Sequence, residues 1–172
     1  MQVKDLMVPV SEYKSAGVND SLGEVASVMA GGGHRDVLVV NDKGNLEGVI
    51  TMTDIFMALE PNYKKLSRKE LSTDILASRY VTDLFKEYGL WSVSLSELCE
   101  KNATIKAAEV MHVPDEHEFL KEEDDLEQAI HRFIVGMHQP LFVKANGTIT
   151  GVLRMVDVFN EIEARMTSCA GE

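Results

Sequence analysis

The sequence predicts an α+β fold built from two copies of one βαββα unit, and three observations lead there. The phrase Gly48-Val49-Ile50-Thr51-Met52-Thr53-Asp54-Ile55 returns in the second half as Gly151-Val152-Leu153-Arg154-Met155-Val156-Asp157-Val158. Each copy is preceded by the same succession of an amphipathic stripe, an unbroken apolar run and a turn. Between the copies lies a stretch with helix-start signals of its own. Self-similarity at this spacing is the mark of a repeat architecture.

The elements follow in order. "VKDLM" at Val3 to Met7 is echoed by "AAEVM" at Ala107 to Met111. Leu22, Val25, Ala26 and Met29 recur at helical spacing, as do Leu126, Ala129, Ile130 and Phe133, so each set predicts an amphipathic helix. Val37 to Val40 and Leu141 to Val143 are continuous apolar runs, the pattern of a strand buried on both faces. Asn41 to Gly44 and Ala145 to Gly147 have turn chemistry, and the strands Leu46 to Ile50 and Thr148 to Leu153 complete a hairpin in each copy. A closing helix places Ile55, Phe56 and Leu59, or Val158, Phe159 and Ile162, on one side. Gly31-Gly32-Gly33 predicts a helix stop rather than a phosphate cradle, because no Gly-Lys-Ser/Thr follows.

Residues 61–106 are too many for a structureless loop in a compact domain. Ser67 with Glu70 opens a predicted helix running to Tyr88 and stopped by Gly89, and Ser94 with Glu97 opens a shorter one through Cys99. Leu71, Ile75, Leu84, Phe85 and Trp91 are its expected core residues. The domains are therefore repeat 1 over 1–60, a helical insertion over 61–106, repeat 2 over 107–163 and a tail over 164–172.

A chain of 172 residues with 45% apolar and 26% charged residues can build a sizeable core without a metal or disulfide staple. Its apolar runs are too short to span a bilayer, and no secretory signal is expected in "MQVKDLMVPV". Cys99 and Cys169 are lone thiols, which suits a reducing, cytoplasmic setting. The formal charge of −11 argues against a nucleic-acid partner, since such binding depends on clustered Lys and Arg. It also requires that any phosphate site be made locally, from helix N-termini and a few arginines.

The repeated phrase, with the helix and hairpin before it, resembles the CBS domain, named after cystathionine β-synthase. Two copies in tandem resemble a CBS pair, or Bateman module, over about Val3 to Leu59 and Ala107 to Ile162. The motif of that family is a glycine, two apolar residues, Thr or Ser, two residues, then Asp. The resemblance implies two repeats packed through their sheets about a pseudo-two-fold axis, a homodimer formed through helices, and a regulatory role. The ligand it implies is AMP, ADP, ATP or S-adenosylmethionine, held in the cleft between the repeats. Thr51 would approach phosphate and Asp54 the ribose hydroxyls, with Ser15 and Ala16 near the base and Arg35, Asp36 and Val37 at the mouth. The chemistry is sensible in itself: a carboxylate accepts two hydrogen bonds from a vicinal diol, and a hydroxyl and helix-start N–H groups donate to phosphate.

The second copy departs from the motif by placing Arg154 at the hydroxyl position before Asp157. Arg154 either supplies a fixed charge to phosphate or fills the cavity. Phe119 and Leu120 align with Ser15 and Ala16, His138 and Pro140 with Arg35 and Val37, and Phe119 offers a ring to a purine.

Thr51 and Asp54 also make a capping box that needs no ligand. The histidines lack metal-site spacing, "KEEDDLE" from Lys121 to Glu127 is an acid-rich helix start, and the methionines are core fillers. No nucleophile elbow or GxGxxG is present, so neither catalysis, a required cofactor nor a metal is expected. The expected function is sensing an adenosine derivative and signalling to a partner through a change of conformation. The alternative is an interaction protein with closed clefts that works through its inserted helices.

Overall fold

In the computed structural model of the chain, residues 1–32, 35–66, 78–136 and 139–169 are described. The α+β expectation holds, and the chain divides into two compact units, Ser15–His112 and Met1–Lys14 with Val113–Glu172.

In the unit Ser15–His112, a three-stranded sheet has the order β2 (Ser15–Gly17), β3 (Asp36–Val40), β4 (Leu46–Thr51), with β2 parallel and β4 antiparallel to β3. Helix α1 (Leu22–Gly32) joins β2 to β3, and α2 (Met52–Leu59) follows β4 directly. The start of α1 is a capping box. Glu24 N–H donates to Ser21 Oγ at 3.3 Å, while the Glu24 carboxylate accepts from the backbone N–H and hydroxyl of Ser21, both at 2.8 Å. These bonds, the backbone one foremost, hold the Glu24 carboxyl below the usual carboxylate range. Val37, Leu38 and Val39 are fully buried, as a continuous apolar run requires. Val37, Val39 and Ile50 pack with Val25, Met29, Ala16 and Ala107 into one core.

In the other unit a four-stranded sheet runs β1 (Val8–Pro9), β7 (Thr148–Leu153), β6 (Leu141–Ala145), β5 (Phe119–Lys121). Helix α6 (Leu126–Val135) and α7 (Met155–Cys169) cover it. Its core holds Leu120, Ala129, Phe133, Leu141, Val143, Leu153, Val158 and, from the N-terminus, Val3. The two hairpins share even their irregularity, a register shift at Val39/Val40 and at Val143/Lys144.

The repeats of the sequence are not the packed units. Val3 donates its N–H to Asp124, and Val8 and Pro9 pair with Val152 and Gly151 of the second copy. Conversely, α5 (Ala107–Val110) and His112, which open the second copy, join the first: His112 and Val49 exchange N–H···O bonds of 2.8 and 3.0 Å. Each copy thus hands its leading segment to the other copy's sheet.

Several expectations change. Helix α1 does end within the glycine run, at Gly32, as expected; the changes lie elsewhere. Phe56 and Phe159 are 58% and 63% exposed, so Ile55, Val158 and Ile162 are the expected residues that pack on their cores from the closing helices, and Leu59 is half-buried. Of the methionines, Met29 is fully buried, whereas Met1, Met52, Met155 and Met166 are exposed.

In the insertion, α3 (Ser78–Tyr88) ends before Gly89, which has φ of 64°. The predicted start at Ser67 and the predicted core residues Leu71 and Ile75 lie outside the described residues. Helix α4 (Leu95–Asn102) begins as predicted, Ser94 Oγ accepting from Glu97 N–H at 3.3 Å, and runs a turn beyond Cys99. Phe85 is exposed rather than core, Leu84 is half-buried, and Leu90 and Leu98 supply the buried apolar contacts.

Candidate functional site

In the Ser15–His112 unit, three strand ends meet at one edge of the sheet. Ser15 opens β2 opposite Leu38, Asp36 opens β3 opposite Thr51, and Thr51 closes β4 where α2 begins. The parallel β2–β3 pair and the antiparallel β3–β4 pair bring these residues together from distant parts of the chain. Arg35 sits beside them, exposed, its carbonyl accepting the Met52 N–H at 3.0 Å.

Asp54 lies one turn into α2, half-buried. Its Oδ2 accepts from the backbone N–H of Thr51 at 2.8 Å and from the Thr51 hydroxyl at 2.7 Å, while Asp54 N–H donates back to Thr51 Oγ1 at 3.2 Å. The capping box is therefore formed. Among the described residues Oδ1 receives no hydrogen bond, which leaves one carboxylate oxygen free to accept donors. Ala16 and Val37 turn their side chains into the core, so only their backbones are available at this edge. Ser15 is exposed and Asp36 half-buried.

The corresponding edge of the other unit is built from the same register, Phe119 opposite Phe142 and Leu141 opposite Leu153. Its chemistry differs. Arg154 Nε and Nη2 form a fork on Asp157 Oδ2 and Oδ1, both at 2.6 Å, so both carboxylate oxygens are engaged. Phe119 has the Lys144 ammonium over its ring, 3.1 Å from the centroid, and a tilted contact with Phe142 at 6.0 Å. Leu120 is buried in the core, and Pro140, joined to Gln139 by a cis peptide bond, is buried as well. His138 lies outside the described residues.

An open hollow of about 400 Å³ in this unit is lined by Asp5, Leu6, Met7, Val8, Asp157, Asn160 and Glu161. Apart from Asp157, none of these was singled out from the sequence. The signal was the pairing of "VKDLM" with "AAEVM", once the leading segment is assigned to the other copy's sheet.

The fold as a whole is that of CBS-domain proteins. The chain is similar to a structure of CBSX2 in complex with AMP, at 17% identity and a TM-score of 0.63 over 96% of this chain and 98% of that one. It is also similar to a CBS domain-containing protein from Bacillus anthracis, at 16% identity and a TM-score of 0.62 over 95% of this chain and 94% of that one. A third likeness is to the CBS domain of a CBS domain-containing membrane protein from Sphaerobacter thermophilus, at 22% identity and a TM-score of 0.58 over 93% and 86%. Among curated proteins no sequence matches the chain. The CBS domain family model matches residues 3–61. That match covers the first copy, and over the second copy the likenesses to solved structures show the same fold. No helix among the described residues is long and apolar enough to cross a membrane.

Proposed function

We propose that the chain is a non-catalytic regulatory module that binds an adenosine derivative at the β4–α2 junction, with Asp54 taking the ribose diol. The reading is carried by one observation: Asp54 is fixed through Oδ2 by the Thr51 cap while Oδ1 has no partner among the described residues. A carboxylate held in this way is pre-organised to accept a diol without losing its helix cap. Arg35 and the backbone at the start of α2 are the groups on this edge able to meet phosphate, Arg35 locally offsetting the charge of −11, and the Thr51 hydroxyl joins them only by releasing Asp54 Oδ2. AMP, ADP, ATP and S-adenosylmethionine are the ligands to try, AMP first because the CBSX2 structure holds it.

The second copy supports a different state. The Arg154–Asp157 fork favours a site that opens only when Arg154 leaves Asp157, so the first copy is the principal site. Signalling to a partner follows from ligand binding only in proportion to a difference in affinity between two conformations. The exposed Met52 and Phe56 of α2, and Met155 and Phe159 of α7, support a homodimer in which a second copy covers these helices. The absence of a paired cysteine spacing supports a cytoplasmic setting.

The test is a thermal-shift and calorimetry panel with the four ligands. A ligand at 100 times its Kd stabilises the folded chain by about 2.7 kcal/mol. That stabilisation should vanish in Asp54→Ala and persist in Asp157→Ala. Stabilisation by none of the four overturns the adenosine reading, and persistence in Asp54→Ala overturns the assignment.

A further inference from the structure

Helix α2 has the candidate site at one end and a buried carboxylate at the other. Glu60, the residue after α2, is only 2% exposed. Its Oε1 accepts from Asn62 N–H at 3.1 Å and its Oε2 from Trp91 N–H at 2.8 Å, a residue far along the chain in the insertion. Trp91 has φ of 55°, a left-handed backbone that a bulky residue adopts only when its surroundings hold it there. Two contacts do so: the Glu60 carboxylate on its N–H, and the Tyr63 hydroxyl, which accepts the indole N–H at 2.9 Å with the rings edge to face at 6.2 Å. Beside them, Asn102 of α4 is buried and donates its side-chain amide to the Leu59 carbonyl at the end of α2, at 3.2 Å, and to the Leu98 carbonyl at 2.8 Å. The C-terminal end of α2 is thus tied to two places in the insertion by directional polar bonds, which tolerate little displacement.

We propose that the insertion is the output element of the module and that Glu60 is the latch coupling it to the Thr51–Asp54 end of α2. The proposal rests on the adenosine reading of that end. Eight residues of helix span roughly 12 Å, short enough to move as one rod. A ligand that draws the start of α2 towards itself displaces Glu60, and the insertion follows or the strained turn at Trp91 relaxes. Glu60 is here a positioning residue, and it acts without touching the ligand.

Trp91 is the only tryptophan of the chain, so it reports on its own latch. Full-length protein is titrated with AMP, ADP, ATP and S-adenosylmethionine by calorimetry, by tryptophan emission, and by hydrogen exchange at the Trp91 amide. The expected result is that a ligand which binds by calorimetry shifts Trp91 emission with the same midpoint. It also changes Trp91 amide exchange by about fivefold, the lower end of ordinary site-to-site coupling. Glu60→Gln puts an NH2 group against a backbone N–H, and by reciprocity it should change the affinity of that ligand by a similar factor. Tyr63→Phe, which removes only the acceptor for the indole, should act in the same direction and serves if Glu60→Gln does not fold. Binding with no change in emission or exchange overturns the latch and leaves the adenosine reading standing. Binding by none of the four overturns both.

Discussion

Gly48 and Gly151 open the repeated phrase, and the structure gives one reason for both. A Cβ on Gly48 would stand 2.6 Å from the His112 carbonyl oxygen, and one on Gly151 would stand 2.8 Å from that of Val8. Each glycine makes room for the leading segment that comes from the other copy, and behind it Met111 or Met7 packs 3.1 Å from the same point. Neither obstacle is the far end of a side chain, so neither gives way cheaply. Gly48→Ala and Gly151→Ala should each cost about 1–3 kcal/mol, as overpacking does. Gly31, inside α1 with open space around it, is the control: Gly31→Ala should stabilise by about 0.5–1 kcal/mol through helix propensity. Urea denaturation measures all three, and a neutral Gly48→Ala would refute the close approach.

At the scale of elements, the two strand-to-helix junctions share a backbone and differ in what occupies it. Thr51 is a side-chain N-cap whose partner keeps one oxygen open; Arg154 is not a cap, and its guanidinium occupies both oxygens of Asp157. Replacing Arg154 by threonine gives the second junction the residues of the first. Arg154→Thr should therefore raise the calorimetric stoichiometry from one ligand per chain to two, with the affinity of the first site unchanged. An unchanged stoichiometry would show that more than the arginine fork closes the second copy, with Phe119 under Lys144 the next obstacle. The same replacement should cost little stability, because a partly exposed ion pair contributes at most about 1 kcal/mol.

At the scale of the whole molecule, the two copies repeat their exposed positions as well as their buried ones. Met52 and Phe56 stand on α2 where Met155 and Phe159 stand on α7, and all four are exposed. Large apolar side chains repeated at matching, uncovered positions are what a second copy of the chain would cover. Phe56→Lys together with Phe159→Lys should turn a dimer into a monomer in sedimentation, with ligand affinity retained. A wild-type chain that sediments as a monomer at tens of micromolar would remove the homodimer from the proposal.

The repeat made most of this legible. Alternating and helical periodicities are local, and each hairpin and each closing helix could be read from residues within a few positions of one another. The N-cap at Ser94 and the capping box at Thr51 were legible for the same reason, since they join residues three apart. Phe56 and Phe159 misled because an apolar residue at helical spacing does not say whether the chain or a partner covers it. Phe85 misled in the same way. By itself the sequence determined the α+β class, the order of the elements, and the pairing of a hydroxyl or an arginine with an aspartate at each junction. Tertiary structure decided which sheet each leading segment joins, which carboxylate keeps a free oxygen, and that Glu60 is buried against Trp91. Those outcomes depend on contacts between residues far apart in the chain, and their geometry exists only once the chain has folded.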